Sequence, residues 1–116
     1  MTLPTAAVVR QARDFLAEDS RRWTQHAYAC DDHDTAVDPT SLDALQWCMV
    51  GAIAKCAGIS GGKDIYDLST TLSSLAYNAG LLPSGTVIDV NDHGTHPAVL
   101  AYMGRLADAL EREEAS

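Results

Sequence analysis

Cys30 and His33 are separated by two residues, as are His93 and His96, and a tetrahedral zinc ion would accept such a mixed set of ligands. Single pairs of this kind are common by chance, however, and His93 and His96 straddle Gly94 instead of sharing one helical face, so no metal is expected. Asp31, Asp32, Asp34 and Asp38 outline a calcium loop but lack the glycine at its sixth position and the glutamate at its twelfth. Cys48 would need a neighbouring histidine or a helix N-terminus to become a nucleophile. It lies within an apolar run that reads as helix interior, which suits an inert core thiol. Gly61-Gly62-Lys63 has no preceding strand and is followed by Asp64, so it reads as a flexible loop and not as a phosphate cradle. The sequence therefore assigns no catalytic residue, no cofactor and no metal.

Asn91-Asp92-His93 directly precedes a helix start, where it could hold a ligand or bond to the backbone of its own irregular segment. The second use is the commoner one for loop Asn and Asp. Trp23 is expected to pin a hairpin onto the helices, with its indole available to floor a shallow pocket. The candidate pocket is thus Trp23, Asp31, Asp32 and His33 of the acidic turn, with Asn91, Asp92 and His93.

The elements that must carry these residues are mostly helical. Thr2 or Thr5 caps a first helix reaching about Ser20, with Val8, Val9, Ala12, Phe15 and Leu16 on its buried face. A short β-hairpin is read across Trp23 to Cys30, the turn Asp31-Asp32-His33-Asp34, and Thr35 to Val37. Thr40 or Ser41 then caps a central helix, Leu42 to Ala57, with one stripe at Leu42, Leu45, Met49, Ala52, Ile53 and Cys56. A second face holds Trp47, Val50 and Ala54, so it needs two packing partners. Gly58 ends it. A third helix runs from about Asp64 to Ala79, its serines Ser69, Ser73 and Ser74 facing outward. Leu81 to Gly94 reads as irregular, with Thr86 to Val90 as a short strand or extended connection. Thr95 caps the last helix, in which Val99, Met103, Leu106 and Leu110 form one face, and the tail from Glu111 to Ser116 is expected to fray. Ala101, Gly104 and Ala107 leave room for another helix, from the same chain or from a second copy in a homo-oligomer. The fold class is mainly α: about four helices around a central apolar helix, with a small β-hairpin, in one domain over residues 1–116.

Sixteen acids against eight basic residues give a net charge of −8, which disfavours nucleic-acid binding because that needs Lys and Arg to displace counterions. No apolar run reaches the ~20 residues of a membrane span, and the first residues lack the pattern of a signal peptide. With three cysteines, of which Cys48 and Cys56 would stand ~12 Å apart along one helix, free thiols and a cytoplasmic location are expected.

Trp23, the acidic turn, Trp47-Cys48-x-x-Gly51-Ala52, Asn91-Asp92 and Thr95-His96-x-x-Val99-Leu100 together resemble a small family of uncharacterised bacterial and phage proteins. The resemblance covers most of the chain and implies a shared scaffold and a mobile-element context, with no catalytic residue to carry over. Two departures are a missing glycine at the tip of the acidic turn and Ala98 where an acid would complete a capping box with Thr95. The functional expectation is a non-enzymatic cytoplasmic interaction module whose acidic surface meets a basic protein partner. Its rival is a small-molecule-binding or hydrolytic protein using the candidate pocket.

Overall fold

The computed structural model describes residues 3–116. The first helix, α1 (Ala6–Glu18), starts where the Thr5 hydroxyl accepts the Val8 N–H at 3.2 Å. Thr2, the other candidate cap, lies outside the described residues. Ala6, Val9, Ala12 and Leu16 recur every three or four residues and are buried, as helical periodicity requires. The helix stops two residues short of Ser20. Asp19 turns extended, and its carboxylate accepts the Arg21 N–H to open a 3-10 turn, Ser20–Arg22.

Two short strands follow, β1 (Ala29–Cys30) and β2 (Gln46–Trp47), paired antiparallel with Ala29 opposite Trp47 and Cys30 opposite Gln46. The small sheet is present as expected, but its second strand comes from Gln46–Trp47. The Thr35–Val37 segment contributes only an isolated bridge between Ala36 and Cys30. The central helix, α2 (Met49–Ala57), accordingly begins seven residues later than Leu42. Asp38, Ser41 and Ala44 form two successive turns instead, closed by Ser41 N–H to Asp38 O at 2.9 Å and Ala44 N–H to Ser41 O at 3.2 Å. Cys48, extended at ψ 177°, then caps the helix. Leu42 and Leu45, expected on the buried stripe, are exposed.

Within α2 the double-faced character holds: Met49 to Ala54 are all buried, against α1, α3 (Gly62–Asn78) and α4 (Val87–His93). Trp47 and Cys48 are buried as well. Gly51 is where the β1 approach passes over α2, and a Cβ there would overlap the Tyr28 carbonyl oxygen. Gly58, at φ 72°, ends the helix in the left-handed conformation.

Helix α3 buries Ile65, Leu68, Leu72, Leu75 and Ala76, spaced as one helical face. Ser69 and Ser73 face inward, against expectation. The Ser73 hydroxyl donates to Ser69 O and accepts the Val87 N–H at 3.0 Å, which satisfies an otherwise orphaned donor at the start of α4. Helix α4 replaces the second half of the segment read as irregular, while residues 81–86 form neither helix nor strand. Thr86 and Asp89 form a reciprocal capping box, and that local signal outweighs the β-branched run Thr86-Val87-Ile88.

The last helix, α5 (His96–Ala115), is capped by Thr95 through the Ala98 N–H without an acidic partner, and lies antiparallel to α1. Glu114 accepts the Ala6 N–H at 2.7 Å, Arg10 pairs with Asp108 and Glu111 at 3.0 Å each, and His96 Nε2 sits 2.9 Å from Leu16 O. These links hold the tail helical to Ala115 where fraying was expected. The second face of α5 meets α1 of the same chain, and Gly104 lies under Arg13. No described helix is long and apolar enough to cross a membrane.

Candidate functional site

Two regions hold the residues singled out by the sequence, and they are built in opposite ways. The first is a hub on α4. The buried Asn91 accepts the Trp23 indole N–H at 2.8 Å and the Met49 N–H at 3.0 Å on one oxygen, and its amide donates to Thr24 O and to Asp92 Oδ1 at 3.1 Å each. Both donors and the acceptor are therefore engaged. Asn91 ties the first turn of α2 to the segment that follows the 3-10 turn. Gln25 reinforces the joint by donating to the carbonyls of Asn91, Asp92 and Gly94 at 3.0–3.2 Å, closing the C-terminal end of α4. Asp92 Oδ1 accepts the His26 N–H at 3.0 Å, and His26 takes up φ 68°, a left-handed conformation uncommon for a non-glycine residue.

Cys48 completes this region. Its sulfur accepts the Gly51 N–H at 3.3 Å, so a thiol does the work usually given to a Ser or Asp cap. Burial pushes the thiol pKa up to about 11, outweighing the Gly51 and Val50 N–H groups that favour the thiolate. The sulfur is thus protonated near neutrality, and the adjacent Met49 N–H is spent on Asn91. The arrangement gives Cys48 the chemistry of a cap.

The second region is the loop from Asp31 to Leu45. Asp31 Oδ1 accepts the N–H groups of His33 at 2.8 Å and Thr35 at 3.0 Å, and these bonds hold its carboxyl below the usual range. Asp34 supplies the left-handed turn residue at φ 59°, the place of the missing glycine. Asp38 reaches further. Its Oδ2 accepts the Gly61 N–H at 2.8 Å, and its Oδ1 takes the N–H and hydroxyl of Thr40, which together lower its pKa as well. The Trp47 indole donates to Pro39 O at 2.9 Å and the Leu45 N–H to Cys30 O at 2.9 Å, so the middle and the far end of the loop are anchored on the core.

From that anchored frame Leu42 projects fully into solvent, at 102% of its reference exposure, and Leu45 is exposed at 53%. Between them and the acidic turn lie two shallow depressions of about 390 and 420 Å³, both lined by Asp31, Asp32 and Leu45. Asp34 and Asp43 complete the rim, and the one cationic side chain there, Arg21, is forked onto Asp19 at 2.9 Å.

A family model matches residues 1–109. The chain belongs to DUF6197, a family of unknown function. No curated protein and no solved structure matches it.

In this DUF6197 chain the seven sequence candidates divide between the two regions. Trp23, Asn91 and Asp92 meet in the hub, whereas Asp31, Asp32 and His33 lie along the second region and share with the hub neither a hydrogen bond nor a common depression. His93 is exposed at the end of α4. Cys30 donates its thiol proton to Gln46, His96 is held at Leu16 O, and the described residues contain no group of three metal-competent side chains. Leu42 and Leu45 were missed as surface residues. The available signal was Asp38-Pro39-Thr40-Ser41 with Asp43, a run of turn formers that competes with a helical stripe. The left-handed His26 had no signal in the sequence.

Proposed function

We propose that this chain is a non-enzymatic cytoplasmic binding module, and that the Leu42–Leu45 face docks a basic, amphipathic segment of another protein. The observation that carries this reading is the full exposure of Leu42 on a loop anchored at Asp38, Pro39 and Leu45. A leucine on a mobile loop would need no explanation, but one held outward by an ordered frame is a ready anchor. Burying such a side chain contributes ~1.5–3 kcal/mol. The surrounding Asp31, Asp32, Asp34 and Asp43 select the partner's sign, because lysines or arginines flanking an apolar side chain would be drawn to this rim. A second copy of the chain is disfavoured for the same reason, since each copy carries a net charge of −8. The three free thiols suit a reducing compartment.

The test is a photo-crosslinking amino acid placed at Asp43, between the two leucines, followed by affinity measurement with the purified crosslinked protein. Binding is expected to weaken at least tenfold with Leu42→Asp and to weaken steeply with salt. A crosslinked protein that binds the Leu42→Asp chain unchanged would overturn the proposal.

A further inference from the structure

A separate depression of about 460 Å³ opens beside the hub, walled by Ala29, Ala36, Val37, Cys48 and Ile88, with Asp92 and His26 at its polar edge. The Asp92 side chain is only 16% exposed. Its Oδ1 is saturated by the His26 and Asn91 donors, but Oδ2 accepts no hydrogen bond from the described residues. The nearest cationic-capable group is His26 Nδ1 at 3.5 Å, too far for a good hydrogen bond, on a ring that is 74% exposed. Oδ2 is thus left without a donor at the edge of the depression, and His26 is held in an uncommon backbone conformation beside it. Among the described residues no Lys or Arg lines the depression.

We infer that this depression is a binding site for a small aliphatic ammonium compound. The ammonium donates to Asp92 Oδ2, and the branched hydrocarbon end lies among Val37, Ile88 and the two alanines. This site is independent of the Leu42 face. A concave, mostly apolar wall with one placed polar acceptor is the usual form of a small-molecule site, and the chain's net charge of −8 raises the local concentration of cations.

The experiment titrates the full chain with 3-methylbutylammonium chloride, following backbone amide resonances of His26, Val37 and Ile88, with 3-methylbutanol as the uncharged counterpart. Saturable shifts are expected at these residues, with the alcohol binding at least tenfold more weakly. Ala36→Trp, which adds bulk at an exposed position of the wall, is expected to abolish the shifts while the chain keeps its melting temperature. Absence of saturable shifts, equal binding of amine and alcohol, or undiminished binding by the Ala36→Trp chain would each overturn the assignment. Asp92→Asn removes the charge and is expected to lower amine affinity at least tenfold; if that chain fails to fold, the alcohol comparison and Ala36→Trp decide.

Discussion

Asn91 and Leu42 are each on the wrong side of the surface for their chemistry, and the contrast separates structure from function in this chain. The polar side chain is fully buried with its donors and acceptor engaged, while the apolar one is fully exposed with nothing packed on it. A buried amide with its partners in place is a joint, because it satisfies backbone groups that no ladder or helix would otherwise reach. An exposed leucine on an anchored loop contributes nothing to the fold that carries it. Stability should therefore be concentrated at the hub, and recognition at the loop.

The largest effect expected is at the joint itself. Asn91→Ala leaves the Met49 N–H, the Trp23 indole and Thr24 O without their partner, and chemical denaturation should show a loss of about 3–5 kcal/mol. A loss under ~1 kcal/mol would mean that water replaces the amide easily, and the comparison would fail. Gly51→Ala comes next, at about 3 kcal/mol, because the new methyl overlaps the Tyr28 carbonyl and the obstacle is backbone. An unchanged melting temperature there would show that β1 does not pass over α2 as described.

A smaller effect concerns the frame of the loop. Asp38 and Asp31 have folded pKa values held below the ordinary carboxylate range by N–H donors. The unfolded chain therefore binds protons more readily than the folded one, so this stabilisation is present above about pH 4 and is lost as the pH falls further. Asp38→Asn should flatten part of the acid limb of a plot of melting temperature against pH. Retention of the full acid limb would detach Asp38 from the stability of the loop. At the far end of the scale, Leu42→Asp should shift unfolding free energy by no more than about 0.5 kcal/mol, since the side chain packs against nothing. Substantial destabilisation by that substitution would turn the exposed anchor back into a core residue.

How much of this was legible in the sequence depended on whether local and tertiary signals agreed. The faces of α1, α3 and α5 follow from periodicity alone, because Val9, Leu68 and Met103 each recur with partners every three or four residues and nothing local opposes them. Leu42 to Trp47 failed because a helical stripe and a run of turn formers were both present. The side-chain bonds of Asp38 and Ser41 stabilise the turns, and pairing with β1 then fixes Gln46–Trp47 as strand. The α4 segment failed for the converse reason: its β-branched residues read as extended, while the Thr86–Asp89 capping box and the waiting Ser73 hydroxyl favour helix.

The candidate site was half legible. Asn91 and Asp92 were expected to hold a ligand or to bond the backbone of their own segment, and they bond instead to groups of Trp23, Thr24, His26 and Met49. Their meeting through Met49 could not be read, because it joins segments 42 and 68 positions from Asn91. The acidic turn was visible as composition, but its alignment with Leu42 and Leu45 emerges only once those residues are known to leave the core.

The measurement that bears most directly on the division between joint and docking face is the affinity of the Asp43-crosslinked protein for the unsubstituted and Leu42→Asp chains, taken alongside their melting temperatures. The account predicts at least a tenfold loss of affinity with an unchanged melting temperature. Equal affinity, or an affinity loss that appears only together with unfolding, would contradict it.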